Sequence, residues 1–322
     1  MPQYEGIVTA EAGSQTRLDA YAAAALGLLT RSQMKSRNLT ALVNGKAAKL
    51  SRPVKAGDHI VLVWDDHPPS ALLPENIPLA IIHEDAACVV VNKPQGMVVH
   101  PGAGNRSGTL ANALLWRRTG GQPADRPLPE MPHQDGTGTQ PFMIRPFIVH
   151  RLDKDTSGVL IAAYTEDALN LLSRQFREHS VKKTYIAIVA GAPPEERGLI
   201  DTCLCRDSRN RKLFTTSEKT GKRAQTRYKR LRSWTDGPSA YSLLLLRPHT
   251  GRTHQLRVHL RHIGCPILGD PLYHKKDPRH PAATLMLHAL TLEITLSTGE
   301  HRTFKAPLPE RFLPLLPPAR PR

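Results

Sequence analysis

Residues 148–160, IVHRLDKDTSGVL, set an apolar pair and an apolar run around a dense cluster: His150, Arg151, Asp153, Lys154 and Asp155. Ionised side chains at the edge of a core are costly unless they find partners, so a fold that accepts this turn must supply them. Elsewhere the strand-like runs arrive singly and in hairpins, with helices inserted irregularly. That order predicts an α+β fold, a mixed and mainly antiparallel central sheet with flanking helices, rather than a regular series of parallel units.

Several segments are readable in more detail. The run Cys88, Val89, Val90, Val91 reads as a strand, Lys93-Pro94 and Gly96 force a turn, and Met97-Val98-Val99 reads as a second short strand. SGTLANALLWRR follows as a helix with Leu110, Ala113 and Leu114 on one face. Thr165 is a candidate N-cap for a helix with Glu166 and Asp167 in its first turn, and Leu169, Leu172 and Phe176 form its apolar stripe. KTYIAIVAG reads as a strand. LLLLRPHTGRTHQLRVHLRHIG reads as a buried strand, a glycine turn and a basic helix ended by Gly264, with Leu256, Leu260 and Ile263 facing inward.

With 322 residues, 40% of them hydrophobic, the chain has room for two domains with real cores. No stretch reaches the roughly 18 uninterrupted apolar residues of a membrane span. The N-terminus MPQYEGIVTA lacks the basic-then-apolar order of a signal peptide, so a cytoplasmic location is expected. The cysteines Cys88, Cys203, Cys205 and Cys265 have no zinc spacing and read as reduced structural thiols. His254, His259 and His262 share the basic helix, but no acidic or cysteine ligand accompanies them, so no metal is expected.

A net charge of +16 points to a polyanionic partner, and the excess is concentrated. Residues 17–55 hold eight basic residues against the single acid Asp19, and residues 206–232 hold eleven against Asp207 and Glu218. Two such patches suit a long or folded nucleic acid. In the first of them, Leu18, Tyr21, Ala22 and Ala25 have helical spacing, Thr30 can cap a second, basic helix, and LVNGK and VKAGDHIVLVW supply strands and turns. This order resembles the small RNA-binding domain named after ribosomal protein S-four, over residues 14–66. The resemblance implies that Arg31, Lys35 and Arg37 meet RNA phosphates, which gives affinity rather than sequence reading. A proline-rich linker at residues 67–78 separates it from a second domain, residues 79–316. Residues 117–146 are rich in proline and glycine and read as a flexible excursion, and residues 317–322 as a tail.

A protein-kinase reading of HRLDKD and VVVNK fails, because Leu152 interrupts the H-R-D order and PGAGNRSG follows Lys93 instead of preceding it. The better match is to the RluA-type pseudouridine synthases. HRLDKDTSG, NKPQGMVVHPG, KTYIAIVAG, HTGRTHQLRVHLRHIGCPILGDPLY and LHALTLEI are similar to that family's motifs and stand in its order, and the N-terminal module resembles that of the RluC and RluD group.

The resemblance implies a pseudouridine synthase fold and a cofactor-free isomerisation in which uracil is cut from its ribose, turned and rejoined through carbon. It implies that Asp153 is the catalytic carboxylate, as nucleophile or as base, that Arg257 is the cation holding it ionised, and that Tyr185 stacks on the flipped uracil and assists proton transfer. Lys93, His150, Arg151 and Arg252 are expected to contact RNA or shape the loops that do. The expected partner is RNA, by family analogy large-subunit ribosomal RNA rather than transfer RNA, with no membrane partner and the protein a monomer. A noncatalytic assembly factor would have no reason to keep Asp153, Tyr185 and Arg257 together.

Overall fold

The computed structural model describes residues 3–9, 16–26, 28–29, 34, 38–65, 72–102, 104–120, 147–218 and 220–317. Arg31, Lys35 and Arg37, residues 121–146 of the expected excursion and residues 318–322 of the tail lie outside them. The chain divides into two compact units, Met1–Ala71 and Leu72–Arg322.

In the first unit the strands β1 (Gln3–Ile7), β3 (Thr40–Val43), β4 (Lys46–Ala48) and β6 (His59–Val63) form an antiparallel sheet in the order β1-β6-β3-β4, and the short β2 (Thr16–Arg17) and β5 (Pro53–Val54) pair beside it. Alternation along β3 and β6 turns Ala41, Val43, Ile60 and Leu62 inward, against Leu18, Tyr21 and Ala22 of helix α1 (Leu18–Ala24). Asn44 and Gly45, both left-handed with φ of 52° and 75°, close the β3–β4 hairpin as their sequence suggests.

The second unit is built on β7 (Ala80–Glu84), β8 (Cys88–Lys93), β9 (Phe147–Ile148), β10 (Ser157–Ala163), β11 (Lys182–Ala190), β12 (Arg197–Arg206), β13 (Phe214–Ser217), β14 (Lys222–Asp236), β15 (Ser239–Pro248), β16 (Leu287–Thr295) and β17 (His301–Lys305). Their order is β13-β12-β14-β15-β11-β16-β10-β8-β7, with β17 on β16 and β9 on β10. Among these pairings only β10 with β16 is parallel, through Ser157↔His288 and Gly158↔Ala289. Helices α2 (Leu110–Arg118), α3 (Glu166–Arg177) and α4 (Gln255–His262) flank the sheet, and a 3-10 helix (Glu310–Leu315) follows it. β8 and β10 are buried almost without interruption, which explains their continuous apolar runs. Thr165 caps α3 by accepting from the Ala168 amide. No helix among the described residues is long and apolar enough to cross a membrane.

Two expectations change. Residues 97–99 are not a strand: the Val98 and Val99 carbonyls accept the first amides of α2, and the Met97 carbonyl accepts the Lys93 ammonium, so none is left for a ladder. Residues 72–78 are not a free linker, because Leu73 and Glu75 hydrogen-bond Asn112 at the start of α2. Residues 117 and 118 are open to two readings in the sequence, the end of the helix SGTLANALLWRR and the start of the excursion; they belong to helix α2, and Arg117 pairs with Glu84.

Gly158 sits where β10 must lie against both β8 and β16. Its φ is +117°, and a Cβ there would stand 2.1 Å from the Ala289 carbonyl oxygen. Gly158→Ala is therefore expected to lower the unfolding free energy by about 3 kcal/mol. Urea denaturation measures this, and a midpoint equal to the wild type would contradict the parallel register.

Candidate active site

The register of four strands brings distant residues to one point. Asp153 ends the loop that leads into β10, whose Ser157 stands opposite His288 at the start of β16. Tyr185 of β11 pairs with Ala289 of β16 on one side and Leu246 of β15 on the other. β15 then runs through a tight turn into α4, which carries Arg257. All three side chains line one cleft of about 520 Å³. A neighbouring hollow of about 860 Å³ shares the wall formed by residues 149–153, His254 and Arg257.

Arg257 does reach Asp153, with Nη1 3.5 Å from Oδ2, but that contact is the weaker of two. The fork expected to hold Asp153 is engaged elsewhere: Nε and Nη2 each donate to Asp270 at 2.7 Å, a bidentate pair whose carboxylate is fully buried. Asp270 also accepts the Leu272 and Tyr273 amides. Its position depends on Gly269, at φ +73°, where a Cβ would meet the Thr284 carbonyl at 2.2 Å. Burial works against a charged Arg257, yet the hydrogen bonds and charge of Asp270, and then the charge of Asp153, hold its pKa above the ordinary value. Asp270 fixes the guanidinium; the Nη1 left over faces Asp153, whose side chain is 19% exposed toward the cleft.

The backbone around Asp153 is clamped from a second direction. Lys93, expected to contact RNA or to shape a loop that does, is fully buried away from any RNA, and its three ammonium protons meet the carbonyls of Pro94, Met97 and Lys154. Burial pushes its pKa down to about 7 against the pull of Asp155 and Asp153. The Gly96 amide donates to the same Lys154 carbonyl, and the Gln95 side-chain amide donates to Asp155 and Leu285. Inside the loop, the Asp153 carbonyl accepts the Thr156 amide.

His150 also turns inward. Its Nε2 accepts the Ile161 amide at 3.0 Å, its ring stacks on Phe176, and burial pushes its pKa down to about 3, so it is a neutral brace. Arg151 and Arg252 are exposed on the cleft wall, where an RNA strand can meet them. Tyr185 is partly buried, and burial followed by the charge of Asp153 pushes its phenol up, so it stays protonated. A protonated phenol is a stacking surface and a donor, not a standing base.

His254 opens α4 in the left-handed region, with φ 55° and ψ 18°, and has no side-chain cap bond. The turn is held instead by Gln255, whose side-chain oxygen accepts from the Arg252 amide and the Thr250 hydroxyl. The Tyr273 hydroxyl accepts the Phe214 amide and shares a hydrogen bond of 2.8 Å with His254 Nδ1. Burial, opposed by Asp153, lowers the His254 pKa and favours a neutral ring on the wall shared by both hollows.

A model of the RNA pseudouridylate synthase family matches residues 87–262, a span that holds Asp153, Tyr185 and Arg257. The ribosomal large subunit pseudouridine synthase D of Borreliella burgdorferi is 42% identical over 303 residues, which cover 92% of this chain and 87% of that one. An uncharacterized RNA pseudouridine synthase of Bacillus subtilis is 34% identical, covering 96% of both chains. Among solved structures, human RNA pseudouridylate synthase domain containing 1 superposes with a TM-score of 0.57 at 28% identity, over 76% of this chain and 88% of that one.

Removing one partner of a buried ion pair costs about 3–5 kcal/mol, whereas replacing the whole pair by apolar groups is often near neutral. Asp270→Asn is expected to lose stability in that range, and the double variant Asp270→Asn/Arg257→Met to be more stable than the single one. Urea unfolding of both compares them; an Asp270→Asn protein as stable as the wild type would show that Asp270 does not carry the guanidinium.

Proposed function

The chain belongs to the RNA pseudouridylate synthase family, and we propose that Asp153 is the carboxylate that opens its reaction, on a uridine of large-subunit ribosomal RNA. As an RNA pseudouridine synthase it breaks the bond between ribose C1′ and uracil N1 and forms one between C1′ and C5. The C5 hydrogen leaves as a proton and N1 gains one, so no cofactor or external reductant enters the balance. The observation that carries the assignment of Asp153 is its position against Arg257, itself locked by Asp270, at the wall of the cleft. Whether Asp153 attacks carbon or removes a ribose proton, it must be ionised in a site that sheds water, and a fixed guanidinium meets that need without moving.

Tyr185 serves as the platform for the extruded uracil, and its protonated hydroxyl donates to the base as it turns. Extrusion costs a few kcal/mol of stacking and is cheapest in a loop. The ribosomal target is supported by relatives in Borreliella burgdorferi, Zymomonas mobilis and Neisseria meningitidis that are named for the large ribosomal subunit. Residues 14–66 serve as an RNA-binding module of the ribosomal-protein-S-four type, a reading supported by the eight basic residues against one acid in residues 17–55. The protein acts as a cytoplasmic monomer.

Tritium released from RNA labelled at uracil C5 reports the reaction. Asp153→Asn is expected to reduce that release by at least roughly 1,000-fold while RNA affinity stays near the wild-type value. Appreciable release by the Asn variant would show that another group does the chemistry. Mapping pseudouridines in total RNA of a deletion strain identifies the target, and a map lacking none in large-subunit RNA would redirect the assignment.

A further inference from the structure

The charges that line the cleft do not balance. Among the described residues, Asp153 is the only acid on its wall, against Arg151, Arg177, Lys183, Arg252 and Arg257. Arg257 is answered by Asp270 from behind, but among the described residues no acid pairs with the others. Lys183 is the most telling of them. Its neighbour Lys182 points outward and pairs with Glu293 at 3.2 Å, whereas Lys183, one residue on, turns into the cleft and has no hydrogen bond or ion pair among the described residues. Burial alone acts on its pKa, and it lowers it. A half-buried ammonium without an anion is a standing cost unless a ligand supplies the charge.

The surroundings favour the same ligand. His179, just past the end of α3, is left-handed at φ 58°, a position where glycine is usual, and this backbone sets its ring against that of His249, 5.0 Å between centroids. Burial, and then His249, Lys183 and Arg252, all push the His179 pKa down, so every charge acting on it is positive. Lys183 and Tyr185 are two residues apart on one strand and both face the cleft, a separation of roughly 6.6 Å. That is within the span of one nucleotide.

We propose that Lys183, with Arg252 and the His179 ring beside it, is a phosphodiester subsite that grips the RNA backbone at the target nucleotide while its uracil lies on Tyr185. The proposal rests on the RNA-modifying reading of the same cleft. A backbone grip acts equally before and during the chemical step, so its loss raises KM and leaves kcat nearly unchanged.

The test uses the full chain and a synthetic RNA hairpin spanning the uridine that loses its tritium, with a neutral methylphosphonate replacing the phosphate on the 5′ or the 3′ side of that uridine. In the wild type one of the two replacements is expected to raise KM roughly tenfold, and Lys183→Met on unmodified RNA to do the same. Combined, the two changes should cost no more than either alone, and Lys183→Arg should keep the sensitivity to the methylphosphonate. Losses that multiply, a Lys183→Met enzyme with wild-type KM, or a wild type indifferent to both replacements would overturn the subsite while leaving the enzyme's activity in place. A wild type that releases no tritium from any RNA would remove the functional reading and the subsite with it.

Discussion

One buried ion pair organises the catalytic unit. Asp270 holds Arg257 by two bonds of 2.7 Å inside the fold, and only what is left of the guanidinium is turned toward Asp153 at 3.5 Å. Coulomb attraction at either distance is large in a medium of low dielectric, but the two contacts differ in what they fix. The bidentate pair sets where the cation stands, and it satisfies the desolvated charge. The longer contact sets a positive charge beside the neighbouring carboxylate and leaves its oxygens open to the cleft. A single acid asked to do both would be tied down by the arginine meant to serve it.

A second set of bonds gives the same loop its shape, and nearly all of them end on backbone carbonyls. Lys93, Gly96 and Gln95 reach across from the turn after β8 to Lys154 and Asp155, the two residues that follow Asp153. Thr284 in turn accepts no freedom from Gln95, donating to its side-chain oxygen at 2.9 Å. The Asp153 side chain is thus left to face the cleft while the backbone that follows it is held in place.

Much of this was legible in the residues, and the reasons for the exceptions are physical. The buried strands β8, β10, β11 and β15 announced themselves as apolar runs, and α3 by its cap, first-turn acids and stripe. The polar strands β12 to β14 did not, since Ile200, Leu204, Ala224, Thr226 and Tyr228 are few inward residues among many polar and charged ones. Asp153, Tyr185 and Arg257 followed from the family resemblance. Asp270 stood in the quoted stretch ILGDPLY, yet which of two acids takes an arginine's fork is decided by reach in three dimensions. The burial of Lys93 could not be read from the residues, because three carbonyls converging from two loops are what make it tolerable. Lys183 could have been read from the sequence, because strand alternation must send one of two adjacent lysines inward.

The parallel contact between β10 and β16 joins residues 131 apart in the chain, as the Ser157–His288 hydrogen bond measures. At synthesis rates of roughly 5–20 residues per second, β10 waits on the order of ten seconds on the ribosome before its partner exists. During that interval one edge of an apolar strand stands open, and only the two-residue β9, paired at Ala162 and Ala163, covers its far end. A nascent chain of this kind has every reason to engage a chaperone until β16 emerges, and the half of the cleft carrying Asp153 stays inert until then.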